Sequence, residues 1–374
     1  MDPTLTLLRD LVAIDSVNPS LVPGAAGEGA IAQAVAAEMR GFGLDVVVED
    51  VGPGRPNVVG VLDGRAPGRT LMFCGHLDTV GVEGMDRPFD PVERDGRLYG
   101  RGAQDMKSGV AAMIGAARAL AGSLARGRII VAAVADEEYA SLGADALVRA
   151  WHADMAVVTE PTDLQIAAGH KGFAWIEIEA RGRAAHGSRP AEGRDAILRM
   201  GRLLNRLERL DRDLQSRPPH PLMGTASLHA SIINGGHELS SYPDRCRLQM
   251  ERRTVAGETA RSAVAEIESI LTELRDDDPE FEAAGRLMFA RPPYELPPGS
   301  DLAARLTRAA ASAGITTAIV GMSFWTDAAV IGEAGTPSVL FGPGGAGLHS
   351  PEEYVRAADV VACRDALAAL ALTL

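Results

Sequence analysis

Side chains that can bind a metal ion recur in short segments that follow apolar runs or occupy glycine-rich turns. The residues concerned are His76, Asp105, the neighbours Glu137 and Glu138, Glu160 and His349. Imidazoles and carboxylates are ligands that zinc and similar divalent ions take in proteins, and no thiolate is required. The pattern therefore predicts a site for divalent metal ions.

These ligands could serve two ions. If Asp105 bridges them, each ion receives one imidazole, the shared carboxylate and one carboxylate of its own, which leaves a position for water. Paired ions of this kind lie roughly 3.5–4 Å apart and act together on the oxygens of a displacement. Since Glu137 and Glu138 are adjacent, we expect one to bind metal and the other to act as a general base. Asp78, two residues after His76, is expected to hold that imidazole from behind.

Each motif has an ordinary structural explanation when it is taken alone. Paired glutamates often start a solvated helix, and Glu160-Pro161 could end a strand. His349 precedes the segment Ser350 to Glu353, which suits the entry to a helix. The metal site is predicted because all the motifs occur together and in this order.

The elements that must position these residues alternate in the first part of the chain. Strands are predicted at 46–48, 58–62, 71–74, 129–134 and 155–158, and helices at 31–40 and 106–121. This alternation predicts an α/β domain with a mostly parallel sheet. Because ligands of such sheets bind at the carboxyl ends of the strands, the motifs are expected to meet in one crevice.

The pattern changes after Lys171. Strands are predicted at 173–180, 226–233, 245–251 and 281–289, with helices at 194–210 and 258–274, the order of a ferredoxin-like unit. The α/β pattern resumes at Ser300, with a helix through Ala311, a strand at 338–341 and a last helix ending at Leu374. We therefore predict a catalytic domain of residues 1–172 and 291–374 and an inserted α+β domain of residues 173–290.

Composition restricts the partners and the compartment. Among 374 residues, 37 are basic and 50 acidic, and the resulting net charge of -13 disfavours binding to nucleic acid or to anionic membranes. We therefore expect a small molecule or a peptide as the partner. The three cysteines form no CxxC motif, which suits a reducing cytosol. Without a signal peptide pattern or an apolar run of about 18 residues, the cytoplasm is the expected location.

The motifs as a set resemble the M20 family of dinuclear zinc peptidases and deacylases, with its acetylornithine deacetylase, succinyl-diaminopimelate desuccinylase and carboxypeptidase G-like branches. The resemblance runs over nearly the whole chain. It rests on Gly75-His-Leu-Asp-Thr-Val80, Gly100-Arg-Gly-Ala-Gln-Asp-Met-Lys-Ser-Gly109, Asp136-Glu-Glu138, Thr159-Glu-Pro161, Ala185-His-Gly-Ser-Arg-Pro190, and Gly342-Pro-Gly344 followed by His349. It implies hydrolysis of the amide bond of an N-acyl amino acid by a metal-activated water, with a dipeptidase or carboxypeptidase as the alternative.

The resemblance also implies a division of the ligands between two ions, Zn²⁺ first, with Co²⁺ or Mn²⁺ as alternatives. One ion would be held by His76, Asp105 and Glu160, and the other by Asp105, Glu138 and His349. Glu137 would be the general base, and the catalytic residues expected from the sequence are therefore Glu137 and Asp78, the latter as the carboxylate behind His76.

Further roles implied by the resemblance concern the inserted domain. It would be the lid and the dimerisation domain of a homodimer, from which His186 reaches the partner's active site to support the oxyanion. Arg253 would grip a substrate carboxylate, which a guanidinium fork suits. Thr326 would line the substrate pocket.

Two departures from the family pattern bear on the substrate. Ser240-Ser241 stands where many relatives carry an asparagine ahead of Pro243, and Glu251 stands where they usually have an aspartate. Neither change affects the metal ligands.

Two rival functions have weaker support in the sequence. A dinucleotide enzyme is suggested because Gly342 to Gly347 matches GxGxxG, but only a terminal helix follows that segment. A binding protein that has lost catalysis is disfavoured because every ligand and the base are present.

Overall fold

The computed structural model describes residues 2–374 and divides into two compact units. The first contains Met1–Ala168, Leu296–Val320 and Thr326–Leu374, and the second contains Gly169–Glu295 and Gly321–Trp325. The chain therefore leaves the first unit and returns to it.

The elements follow the chain in a fixed order. The helices are α1 (Pro3–Val12), α2 (Gly29–Gly41), α3 (Lys107–Leu120), α4 (Leu142–Ala150), α5 (Ala196–Ser216), α6 (Ala260–Asp277), α7 (Leu302–Ser312), α8 (Ala328–Glu333) and α9 (Ala357–Ala371). The strands are β1 (Asp45–Asp50), β2 (Pro56–Asp63), β3 (Thr70–His76), β4 (Val92–Arg94), β5 (Arg97–Tyr99), β6 (Arg128–Val134), β7 (Met155–Val158), β8 (Ile166–His170), β9 (Gly172–Arg181), β10 (Ser227–Gly235), β11 (Arg245–Thr254), β12 (Glu282–Arg291), β13 (Tyr294–Glu295), β14 (Ile319–Met322), β15 (Ser338–Leu340), β16 (Gly345–Ala346) and β17 (Tyr354–Arg356).

The central sheet of the first unit runs in the order β1-β2-β6-β3-β7-β15-β8. Strand β3 pairs in parallel with both β6 and β7, and β7 pairs in parallel with β15. Nearly every residue of these four strands is buried, as expected for strands covered on both faces. Their carboxyl ends therefore meet at one edge of the sheet.

The core of this unit consists of the central strands and helices that pack on them. Helix α3 contributes a nearly continuous buried face that includes Val110, Met113 and Ile114, and α9 contributes Val360 and Leu367. The predicted α/β class with a mostly parallel core is confirmed.

The second unit contains the order β9, α5, β10, β11, α6, β12. Its four strands form an antiparallel sheet in the order β10-β11-β9-β12. Along β9 the side chains of Ala174, Ile176 and Ile178 are buried, and they belong to the same cluster as Leu203 of α5 and Ile267 of α6. The helices therefore cover one face of the sheet, which is the predicted ferredoxin-like arrangement.

A small sheet of β16, β17, β5 and β4 was not predicted. The segment after His349, which suits a helix entry by its sequence, instead leads into strand β17, and the last helix begins at Ala357. Across residues 2–374, no helix is both long and apolar enough to cross a membrane.

Candidate metal centre

The predicted ligands lie in loops that follow the parallel strands. His76 is the last residue of β3, Glu137 and Glu138 follow β6, and Glu160 follows β7. Asp105 precedes α3, and His349 lies between β16 and β17. Because β6, β3 and β7 are neighbours in register, their terminal loops emerge side by side.

Two groups of side chains come close enough to hold a metal ion. One contains His76, Asp105 and Glu160, and the other contains Asp105, Glu138 and His349, with ligand atoms within 4.8 Å of one another in each group. These are the two ligand sets that the family resemblance implied. The groups share Asp105.

The carboxylate of Asp105 lies between the two histidines. Its Oδ1 is 3.2 Å from Nε2 of His76, and its Oδ2 is 3.2 Å from Nε2 of His349. The same nitrogen of His349 is 3.3 Å from Oε2 of Glu138. One oxygen of Asp105 thus faces each group, as a bridging ligand requires.

Further ligand atoms in the centre are buried and have no hydrogen-bond partner. These are Oε1 of Glu138 and Oε1 of Glu160. A buried acceptor without a partner is unfavourable by about 1–3 kcal/mol. A cation coordinated by these oxygens would satisfy them, so the residues present fit a metal ion.

The charges of the cluster point to the same conclusion. Burial and the nearby charge of Glu160 raise the pKa of Glu137 well above its usual value. Hydrogen bonds with Asp105 and Glu138 raise the pKa of His349 to about 10. Burial opposes ionisation of Asp105, but hydrogen bonds from His349 and His76 hold the pKa of its carboxyl below the usual range. Divalent cations bound among these side chains would offset the buried negative charges.

Glu137 belongs to neither ligand group, although it adjoins Glu138. Its Oε2 is 3.9 Å from Nε2 of His76, and its side chain is only 11% exposed. In this position, beside the first group, the carboxylate could contact a water molecule that attacks a substrate. The role of Glu137 as general base stays a prediction.

The structure gives Asp78 a contact different from the one expected. Nδ1 of His76 is 2.9 Å from the main-chain carbonyl oxygen of Asp78, whereas the carboxylate is 3.7 Å away, too far for a hydrogen bond. That carboxylate instead accepts hydrogen bonds from the amides of Glu137 and Glu138, both at 3.1 Å. The carbonyl fixes the imidazole, and the carboxylate holds the glutamate pair.

A buried polar network behind Asp78 was not predicted. The side-chain amide of Asn18 donates to Asp78 at 2.7 Å and to Asp136 at 3.0 Å. Arg55 donates to Glu28 through two nitrogens and to Asp136 at 2.8 Å. Asn18, Glu28 and Arg55 belong to none of the recognised motifs, so the sequence gave no signal for their part in the network.

The loop that carries Asp105 depends on glycine. Gly100 has φ 149° and Gly102 has φ 77°, which other residues rarely adopt. An added Cβ at Gly100 would lie 2.4 Å from Cγ1 of Val12, and one at Gly102 would lie 2.8 Å from Cγ2 of Thr79. The Gly-Arg-Gly sequence thus allows the loop to approach α1 and the segment that follows β3.

The residues implied to bind substrate are distributed over both units. His186 and Arg253 belong to the second unit, whereas Thr326 belongs to the first. Nδ1 of His186 accepts the amide hydrogen of Ser188 at 3.2 Å, so a neutral ring carries its proton on Nε2. That tautomer can donate a hydrogen bond to another molecule.

Arg253 is already engaged by a neighbouring carboxylate. Its Nε donates to Glu251 at 2.6 Å, and its guanidinium lies over the ring of Phe173, 5.6 Å from the centroid. The other oxygen of Glu251 accepts from the indole of Trp175 at 2.9 Å. Thr326 is fully buried, and its hydroxyl accepts the amide hydrogen of Ala328 at the start of α8. Their substrate-binding roles stay predictions.

Comparison with known proteins relates the chain to a hydrolase family. Residues 72–373 match the description "Peptidase family M20/M25/M40". The chain is 33% identical over 352 residues to an acetylornithine deacetylase of Myxococcus xanthus, a match that spans 88% of each protein.

A second relative acts on a different kind of compound. The chain is 31% identical over 362 residues to the N-formyl-4-amino-5-aminomethyl-2-methylpyrimidine deformylase of Bacillus subtilis, covering 87% of this chain and 85% of the relative. Among solved structures, a tripeptidase of Staphylococcus aureus superposes with a TM-score of 0.83 at 20% identity, over 99% of this chain and 97% of the other. At that identity the superposition supports the fold alone.

Proposed function

The chain belongs to peptidase family M20/M25/M40, and from this premise we propose that it is a metal-dependent hydrolase that cleaves the amide bond of an N-acyl amino acid. One observation carries the proposal: the carboxylate of Asp105 lies between His76 and His349, with one oxygen 3.2 Å from each ring. A shared carboxylate of this kind suits two ions that act on one substrate.

Two divalent ions would occupy the centre. His76, Asp105 and Glu160 would hold one, and Asp105, Glu138 and His349 the other. Zn²⁺ suits this set of imidazoles and carboxylates, with Co²⁺ or Mn²⁺ as alternatives. When bound, such ions lower the pKa of a coordinated water towards about 7 and polarise a carbonyl oxygen.

Glu137 acts as the proton carrier in this mechanism. Its carboxylate accepts a proton as the water oxygen attacks the amide carbon. The same proton then passes to the leaving nitrogen as the carbon–nitrogen bond breaks, so the products are a carboxylic acid and an amine. Asp78 keeps Glu137 in place, because its carboxylate accepts the Glu137 amide hydrogen at 3.1 Å.

Substrate recognition is assigned to the second unit, which we propose to be the lid. Arg253 would bind the carboxylate of the amino acid, and His186 would donate from Nε2 to the oxyanion. Thr326 of the first unit would line the pocket. A dipeptidase or carboxypeptidase would use the same arginine, because its substrates also end in a carboxylate.

We further propose that the enzyme is a cytoplasmic homodimer joined through the second unit. The edge strand β10 supports the dimer, since Ile232 and Ile233 are each about half exposed there. Free thiols support the compartment, because Cys74, Cys246 and Cys363 are buried and unpaired.

A substrate panel tests the proposed function. Chelated protein and protein restored with zinc, cobalt or manganese are assayed with N-acetyl, N-succinyl and N-formyl amino acids, with dipeptides, and with an N-formyl aminopyrimidine that has no carboxylate. Metal-restored cleavage of acyl amino acids is expected. Cleavage of dipeptides alone favours the peptidase, and cleavage of the aminopyrimidine alone removes the role given to Arg253. No metal-dependent cleavage of any compound overturns the proposal.

A further inference from the structure

Glu353 is a buried carboxylate that lies outside both ligand groups. It is 1% exposed, and its two oxygens accept four hydrogen bonds. Oε2 accepts from Nη1 of Arg101 at 2.6 Å and from the amide of Gly102 at 3.1 Å. Oε1 accepts from the amides of Gln104 and Asp105 at 2.8 and 3.0 Å. The carboxylate thus holds a run of main-chain amides that ends at the shared ligand.

The segment held by Glu353 has no helix or strand of its own. Residues 100–106 connect β5 to α3, and regular hydrogen bonding resumes only at Lys107. The side chain of Asp105 must nevertheless direct one oxygen to His76 and the other to His349. Its position therefore depends on groups that fix the loop from outside.

Strand pairing explains why Glu353 is at this place. Tyr354 of β17 is opposite Tyr99 of the antiparallel strand β5. Glu353, just before β17, therefore lies beside Gly100, just after β5. The amide of Gly100 also donates to the carbonyl oxygen of Glu353 at 3.3 Å. The same short segment carries His349 four residues earlier. One segment thus provides a metal ligand and holds the loop that carries another.

The other side of the centre has the same construction. Asp78 follows the ligand His76 by two residues, and its carboxylate accepts the amides of Glu137 and Glu138. In both cases a buried carboxylate in a histidine-bearing segment accepts main-chain amides of a segment that bears ligand carboxylates.

From this geometry we propose that Glu353, held by Arg101, is a positioning residue that fixes Asp105 for metal binding. The proposal rests on the proposed function, because it takes the Asp105 cluster to be a metal centre. Glu353 touches neither the ions nor the substrate and acts through the main chain of residues 102–105.

Glutamine at this position cannot replace the carboxylate. It keeps one accepting oxygen, but its NH₂ group must face either the amides of Gln104 and Asp105 or the guanidinium of Arg101 and the amide of Gly102. Donor then meets donor, and the loop shifts. Loss of a group that orients a metal ligand in this way typically lowers the metal affinity by about 10- to 100-fold.

The test compares Glu353→Gln with the matched control Glu352→Gln. Glu352 is the preceding residue and is exposed, and its main-chain amide donates to the hydroxyl of Ser350 at 3.3 Å. Each full-length protein is equilibrated at buffered free Zn²⁺ concentrations and its zinc content is measured, with circular dichroism as the check on folding. Hydrogen exchange of amides 102, 104 and 105 is followed in parallel.

Glu353→Gln is expected to weaken zinc binding about 10- to 100-fold and to speed exchange at these amides, while Glu352→Gln matches the wild type. A folded Glu353→Gln protein that binds zinc like the wild type overturns the proposal. If that variant does not fold, Glu353→Asp, which keeps the charge but shortens the side chain by one methylene, is judged by the same criterion.

Failure of the proposed function would look different. A wild type that binds zinc but cleaves nothing in the substrate panel overturns the hydrolase, and the zinc affinities still decide the role of Glu353. A wild type that binds no divalent ion overturns both.

Discussion

Glu137 and Glu138 are neighbours in the chain, yet their carboxylates have different surroundings. Glu138 belongs to a ligand group and lies 3.3 Å from His349, whereas Glu137 belongs to neither group and lies 3.9 Å from His76. Both amides are held by Asp78, so the backbone of the pair is fixed. The two side chains therefore have separable roles.

Substitution of the pair should separate chemistry from metal binding. Glu137→Gln removes the proton carrier but no ligand, so kcat should fall by about 10²- to 10⁴-fold with zinc content unchanged. The measurement is kcat on the best substrate of the panel together with zinc content. Near-normal turnover by zinc-loaded Glu137→Gln would show that another group carries the proton.

Glu138→Gln provides the comparison for this experiment. Loss of a ligand carboxylate should lower zinc content at limiting free zinc, and excess zinc should recover part of the activity. If both variants lost zinc equally, the distinction between base and ligand would fail.

The side chains of the two ligand groups could be predicted from sequence because each is adjacent to a recognisable apolar run or glycine-rich turn. Asp78 was predicted from the same spacing. Its carboxylate, however, accepts hydrogen bonds from the amides of Glu137 and Glu138, which lie 59 and 60 positions further along the chain. Glu353 binds amides about 250 positions away. Contacts between a side chain and a distant main chain leave no spacing signal, so these two roles required the structure.

Ion pairs between segments hold the loops behind the centre. Arg55, just before β2, pairs with Glu28, just before α2, and with Asp136 after β6. The three side chains are at most 8% exposed, and removal of one partner from a buried pair destabilises a protein by about 3–5 kcal/mol. Arg55→Gln should therefore lower the free energy of unfolding by about that amount, measured by denaturant titration.

Arg128 offers a matched control at the surface. It also binds a carboxylate through two nitrogens, that of Asp63, but the two side chains are 49% and 57% exposed. Solvent screens such a pair, so Arg128→Gln should change stability by about 1 kcal/mol or less. Equal effects of the two substitutions would mean that Arg55 contributes no more than a surface pair.

Helix α3 approaches the loop of Glu160 so closely that only glycine fits at position 109. An added Cβ there would lie 2.0 Å from the main-chain oxygen of Thr159, the residue before the ligand. Gly109→Ala should therefore displace Glu160, weaken zinc binding and destabilise the fold by about 1–3 kcal/mol. Thermal unfolding and zinc content measure the two effects.

A stabilising effect is expected when alanine replaces an exposed glycine in the middle of a helix. Gly201 of α5 has no atom within 4 Å of an added Cβ, so Gly201→Ala should stabilise the protein by about 0.5–1 kcal/mol. If Gly109→Ala were also stabilising, the close approach of α3 to Thr159 would be wrong.

Elements with strong periodicity could be predicted from sequence, and short polar ones could not. Strands β3, β6 and β7 are continuous buried runs, and α3 has the apolar spacing of a packed helix. Strand β4 is Val-Glu-Arg with all three residues exposed, so its composition resembles a loop. It becomes a strand only through pairing with β5, which sequence alone does not reveal.

At the scale of the whole molecule, the groups assigned to catalysis come from different units. Glu137 lies in the first unit, and His186 lies in the second. If His186 serves the active site of the partner in a homodimer, two defective chains can complement each other.

Mixed dimers test this sharing. In a dimer of Glu137→Gln with His186→Ala, the site that keeps Glu137 receives the intact His186 of the other chain, and the second site lacks both groups. Random pairing at equal amounts makes half of the dimers mixed, each with one working site, so activity should reach about a quarter of the wild-type value. The two chains are co-expressed in equal amounts with the same tag so that every dimer is recovered, and kcat is measured on the purified mixture.

The activity of the mixture is compared with that of the two parent homodimers, Glu137→Gln and His186→Ala. Loss of one oxyanion donor lowers the rate by about 10²- to 10³-fold, and loss of the base lowers it at least comparably. The quarter-strength activity expected of the mixture thus stands far above either parent. If His186 served its own chain, the mixed dimer would contain one site without a base and one without a donor. Activity no higher than that of the parents would therefore place His186 in cis and remove the need for a dimer in catalysis.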